Sequence, residues 1–201
     1  MPETTDKDGS PPARPRPPPS LWRSPNFLKY IAAGVLNSFA LQLITLTVGW
    51  QIYELTRDPL DLGLAGLAQA APIFALFLLA GLAADRLNRR AVLSTCSLIH
   101  ALVAGSLFYY ATTGHDAPWP IFLILVVHGS ARAFYEPSLM SILPSLLEKQ
   151  QFPTAIAYVT SLEKATHIAG PALAGVLIAF IGVWVYLIAL VCFVVAAGCA
   201  A

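Results

Sequence analysis

Charge is scarce in this sequence. Acidic and basic residues make up 11% of its 201 positions and apolar residues 57%, where an ordinary soluble domain carries roughly 25% charge. The shortage is also uneven: residues 1–29 hold eight of the 16 prolines and eight of the 23 charged side chains, leaving about 170 residues that are almost continuously apolar. A soluble single-core domain cannot be built from such a stretch. A net charge of +1 gives no basic surface for nucleic acid. Cysteine is scarce too, and Cys96, Cys192 and Cys199 sit in apolar runs without the spacing of a disulfide framework or a metal knuckle. Four histidines (His100, His115, His128, His167) form no H-E-x-x-H pair, and no G-x-S-x-G turn occurs. Neither an enzyme nor a metal or cofactor protein is expected. Nothing alternates apolar and polar over about ten residues, which excludes a membrane β-barrel.

What is present is a series of long apolar runs, each near the roughly 20 residues needed to cross about 30 Å of hydrocarbon. Ile31–Tyr53 and Leu62–Ala84 supply 23 residues each and Ala91–Thr112 supplies 22. A fourth run extends from near Pro118 to about Pro137, a fifth is Thr154–Ile181, and a sixth starts at Trp184 and is still apolar at Ala201. The reading is an all-α membrane protein with six transmembrane helices over residues 26–201. The last run has no polar flank, so the sequence looks like part of a longer protein.

Residues 1–25 read as a disordered, proline-rich tail, too polar to fold and without the apolar core of a signal peptide. Arg14, Arg16, Arg23 and Lys29 flank the first run; Arg86, Arg89, Arg90 and Lys149 lie in the second and fourth connections. Only Arg57 lies on the opposite side. The positive-inside rule puts the N-terminus in the cytoplasm of a multi-pass protein, with the lipid bilayer as its first partner.

The second connection reads Gly81-Leu82-Ala83-Ala84-Asp85-Arg86-Leu87-Asn88-Arg89-Arg90. It resembles the cytoplasmic loop motif G-x-x-x-D-R-x-G-R-R of the major facilitator superfamily, with Asn88, the non-glycine residue most tolerant of a left-handed turn, in place of the second glycine. Tyr53–Leu64, Ala133–Ser138, Leu143-Pro144 and Gly170–Gly175 look like the branch that includes enterobactin-type exporters. The resemblance implies the N-terminal six-helix half of a twelve-helix transporter in a bacterial cytoplasmic membrane, with the C-terminal half as its missing partner. It implies a proton-coupled exporter of small organic molecules, siderophore or drug-like, working by alternating access. Gly81, Asp85, Arg86, Arg89 and Arg90 would form the conformational switch, with Glu136 at the end of the fourth helix as the partner of Arg89. A channel or non-transporting scaffold is the alternative class, although no filter-like loop is visible.

Ionisable groups at membrane depth usually face a bundle interior or a water path. Arg132, Glu163 and His167 are the proton-coupling candidates. Arg132 either pairs with Glu163 or snorkels beside Glu136, four residues along the same helix face. On the fifth helix, Thr160, Glu163, Lys164, His167, Gly170, Pro171, Ala174 and Gly175 share one polar, small-residue face. Gly170-Pro171 and Gly175 resemble the fifth-helix packing and kink motif of the superfamily's antiporters. On the first helix Asn37, Thr45, Thr47 and Gln51 share an arc. They line an aqueous cavity or bond neighbouring helices, and cavity lining is the favoured reading for Asn37, Thr45, Gln51 and, on the fifth helix, Thr160.

Overall fold

The computed structural model describes residues 24–86, 88–114, 117–147 and 150–200. They form α1 (Pro25–Thr56), α2 (Pro59–Arg86), α3 (Arg89–Thr112), α4 (Trp119–Leu146), α5 (Phe152–Ile181) and α6 (Val185–Ala200), with a 3-10 turn at Gly182–Trp184. The proline-rich tail lies outside these residues, apart from its last two positions, Ser24 and Pro25. Hydrocarbon leaves no water to satisfy backbone amides, so the spanning segments are helical throughout.

The turns carry their own signals. Arg57 closes α1 in the left-handed region (φ 54°), its amide bonding to the Tyr53 carbonyl. The Asp58 carboxylate then accepts from the Leu60 amide at 2.8 Å, and Pro59 opens α2 where its missing N–H costs nothing. Asn88 is not left-handed as expected. It is extended (φ −65°, ψ 107°), and its side chain accepts from the Arg90 and Ala91 amides as the N-cap of α3.

Four stretches are long and apolar enough to cross a membrane: Pro25–Thr56, Pro59–Leu82, Arg89–Thr112 and Phe152–Ala200, the last containing both α5 and α6. Of the six spans expected, the fourth is not carried by apolarity alone, because His128, Arg132 and Glu136 dilute it. Its end also differs from expectation. α4 continues through Pro137 and Pro144 to Leu146. A proline removes one backbone bond, and in a packed bundle that single loss does not end a helix.

α2 packs chiefly on α4 and α5 chiefly on α1, while α3 and α6 pack on each other and α6 also packs on α1, α3 on α4. Exchanging α1 with α4, α2 with α5 and α3 with α6 maps these pairings onto themselves, as an inverted repeat of two three-helix units requires. Two apolar clusters fill the bundle. One is built on Ile44, Val48, Leu107, Leu125, Tyr186 and Phe193, the other on Phe27, Tyr30, Leu93, Tyr135 and Ile142. Between them runs a buried polar layer. Asn37 Oδ1 lies 3.4 Å from His100 Nδ1, and the His100 and His128 rings are 4.8 Å apart.

Leucine gains little by leaving lipid for a helix interface, so association rests on close packing and interhelical hydrogen bonds. Gly129 is where α4 meets α2, and a Cβ there would be driven into the backbone carbonyl of Gln69. Gly129→Ala is expected to cost about 1–3 kcal/mol in denaturant unfolding from bicelles. Gly66→Ala, with open space around its Cβ position, should stay within about 0.5 kcal/mol of wild type.

Candidate functional site

α2 and α5 each rest on one main neighbour, and between them α4 is left open. The result is a groove of about 880 Å³ whose walls include Phe74, Phe77, Leu78 and Gly81 from α2, Arg132, Glu136 and Met140 from α4, and Glu163 and His167 from α5. The groove is apolar on the α2 side and charged on the other two. Its volume falls within the roughly 300–1,000 Å³ range of small-molecule sites.

The three expected proton-coupling candidates, Arg132, Glu163 and His167, therefore meet in one place. Their pairing differs from one of the expected arrangements. Arg132 Nε lies 3.9 Å from Glu136 Oε1, one helical turn away, rather than being locked to Glu163. His167 is held from α1, where the Gln42 side-chain amide lies 2.9 Å from its Nδ1. The two side chains share one hydrogen bond, whose direction follows the tautomer of the ring. Gln42 was not singled out by the sequence because it lies off the polar arc of α1. Gly170 makes the contact possible, since a Cβ there would meet Gln42 Cγ at 2.9 Å. Pro171 follows within the same helix. Gly175 and Thr160 are exposed, and nothing crowds the Cβ position of Gly175.

Arg89 reaches α4 further along the helix than Glu136. Because α4 runs on past Pro137, Glu136 is not at the helix end but in the groove wall. Arg89 Nη1 instead donates to the Ser141 carbonyl at 2.8 Å, about 7.5 Å further along α4 at 1.5 Å per residue. Arg90 is exposed. Gly81 lines the groove and nothing crowds its Cβ position. The side chains of Asp85 and Arg86 lie outside the described residues.

Two of the expected cavity-lining residues are buried. Asn37 is 1% exposed and contacts His100, and Gln51 accepts from the Tyr186 hydroxyl at 2.6 Å. These amides hold α1 to α3 and α6. Thr45 is exposed, while Thr47 is buried and bonds back to the Leu43 carbonyl. One helix's polar arc shows which residues lie together, but not whether water or a neighbouring donor faces them.

A family model described as transmembrane secretion effector, in the major facilitator superfamily, matches residues 21–199. The chain belongs to that family. It is therefore a multi-pass membrane protein of a transporter superfamily. Among curated proteins it is 27% identical over 127 residues to the uncharacterized MFS-type transporter YfiS of Bacillus subtilis (strain 168), covering 63% of this chain and 29% of that one. It is 26% identical over 147 residues to macrolide efflux protein A of Streptococcus pyogenes, covering 73% of this chain and 35% of that protein. Macrolide efflux protein A of Enterococcus faecalis is 29% identical over 98 residues, covering 48% of this chain and 30% of its own length. The chain spans about a third of the length of these relatives.

The buried amide of Gln51 gives a direct test of its structural role. Tyr186→Phe leaves that amide oxygen without its donor and is expected to destabilise by about 1–2 kcal/mol in bicelle unfolding. Adding Gln51→Leu should recover part of the loss, since removing both partners deletes the orphaned group.

Proposed function

We propose that this chain forms the N-terminal, six-span half of a secondary active exporter of small organic molecules. The groove between α2, α4 and α5 is its share of the substrate path. The observation that carries this reading is the groove's composition: aromatic and aliphatic side chains on one wall, two carboxylates and a guanidinium on the others. Such a surface suits an amphiphilic guest with a basic group. Two relatives named for macrolide efflux support that class, macrolides being large amphiphiles that often carry an amine. A siderophore-like guest fits the groove's size but less well its acidic wall.

Transport is driven by proton exchange in this reading, with Glu163 and His167 as the groups that gain and lose the proton and Arg132 biasing them. The cytoplasmic end carries the loop from Gly81 to Arg90. Asp85 and Arg89 there act as the conformational switch, Arg89 through the Ser141 carbonyl on α4, while the second six-helix half rocks against this one about the groove. Neutral helix-binding amides such as Gln51 stay in place as each half moves as a body.

The test is cellular accumulation of labelled erythromycin in a susceptible bacterium expressing the chain together with a second six-helix half. Accumulation is expected to fall, to recover when a protonophore collapses the gradient, and to lose at least about tenfold of the effect in Glu163→Gln. Unchanged accumulation across a panel of amphiphilic amines would sink the exporter reading. Efflux insensitive to the protonophore would sink proton coupling alone.

A further inference from the structure

A second space opens at the end of the bundle where α1 and α3 begin, and it shares no lining residue with the groove. It holds about 50 Å³ between α1, α3, α4 and α6, with Asn26, Lys29 and Tyr30 from α1 and Arg90 from α3 among its walls. A water needs roughly 10–15 Å³ measured this way, so the pocket takes about three to five water-sized guests. That is room for one phosphate group and none for an amphiphile of the kind proposed for the groove. The remaining walls are small or apolar, Leu93, Leu139 and Ile142 among them.

The charge at this pocket is one-sided. Lys29 and Arg90 line it, no carboxylate does, and neither cation is paired with an acid among the described residues. The neighbouring Arg89 is committed elsewhere, to the Ser141 carbonyl. α1 and α3 bring their positive ends here while α4 and α6 bring their negative ends, so the helix dipoles largely offset and the surplus belongs to the two side chains. Asn88 already occupies the Arg90 and Ala91 amides. Tyr30 is an independent pointer. It is 7% exposed, and its buried hydroxyl has no hydrogen-bond partner among the described residues. Tyr30 also borders a narrow space beside Glu163, yet its hydroxyl makes no bond to that carboxylate. Depth is a third pointer. Two stretches long and apolar enough to cross a membrane begin at Pro25 and Arg89, so both cations stand within about one turn of a span's start, where lipid phosphates lie.

We propose that Lys29, Arg90 and the Tyr30 hydroxyl form a site for one phosphate group, between α1 and α3. The guanidinium offers paired N–H donors, the ammonium a point charge and the phenol one O–H, and a tetrahedral phosphate has oxygens enough for all three. A lipid headgroup and a soluble phosphate present the same group, and the depth of the pocket favours the headgroup of an anionic lipid. α1 and α3 make little direct contact, so a shared anion bridges them. The site does not rest on the transport reading.

Phosphorus NMR of the purified chain in a neutral detergent tests this, because a lipid diester and inorganic phosphate resonate apart. Short-chain phosphatidylglycerol is titrated in one arm and inorganic phosphate in the other, with phosphatidylcholine as the zwitterionic comparison. One equivalent of phosphatidylglycerol is expected to bind, at least about tenfold more tightly than phosphatidylcholine. Lys29→Gln and Arg90→Gln should each weaken it roughly tenfold, and Tyr30→Phe, which removes only an unpartnered hydroxyl, roughly three- to tenfold. Lys164→Gln, which removes an exposed charge outside the pocket, should leave binding unchanged. Lys29→Arg keeps the charge and should restore binding, which separates loss of ligand from loss of fold. Inorganic phosphate binding as tightly as the lipid would keep the site and reject the lipid as its source. Saturable binding of neither, or equal losses in Arg90→Gln and Lys164→Gln, would overturn the site.

Discussion

The groove depends on two helices that are each carried mainly by one neighbour. α2 reaches α4 at Gly129 and α5 reaches α1 at Gly170, and both contacts set the missing side chain of a glycine against a glutamine. At Gly129 the two helix backbones approach more closely than a Cβ would allow, and at Gly170 the Gln42 side chain occupies the space a Cβ would take. Widen either contact and the outer helix swings away from the bundle, changing the separation of the groove's apolar and charged walls. Its chemistry is set by residues such as Phe74 and Glu163, but its width is set by two positions with no side chain. Gly170 has a further effect, because the glutamine it admits is the one that fixes the ring of His167.

A buried charge in hydrocarbon needs company, and α4 shows how this is met. Arg132 and Glu136 sit one turn apart at 3.9 Å, too long for a tight pair. Each remains partly exposed to the groove, so water or a guest can share their solvation. A shorter, fully enclosed pair would be inert. The loose spacing leaves the guanidinium less committed to Glu136 than a tight pair would.

Much of this was legible from sequence for a physical reason: hydrocarbon forces the backbone into helices, so apolar runs mark elements almost directly. Arg132, Glu163 and His167 were legible because an ionisable group in such a run has few tolerable destinations. The misreadings share a cause as well. Pro137 looks like a terminator in water, where a freed carbonyl and a kink favour an end, but within a bundle the helix continues, and Glu136 moves from the helix end to the groove. Asn88 was read for its backbone tolerance when its side chain was the part in use. Asn37 and Gln51 were read as facing water, because the donors and rings that meet them lie on α3 and α6, more than 60 residues away. Tyr30 and Gln42 gave no signal: an aromatic or neutral amide in an apolar helix looks the same on every face.

The layer formed by Asn37, His100 and His128 has a consequence for how this sequence can diverge. Both ring nitrogens of His128 lack hydrogen-bond partners among the described residues, and the surrounding clusters are apolar on either side along the bundle axis. Sliding any one helix by a turn would set an imidazole or amide against leucine and phenylalanine, so the layer fixes a single axial alignment of α1, α3 and α4. The three positions are therefore not free to drift one at a time. Replacing Asn37 or His100 alone by an apolar residue strands the other's polar atom, whereas exchanging the polar set together would be tolerated. Related sequences should accordingly divide into those that keep the polar set and those that have lost it whole, with few intermediates.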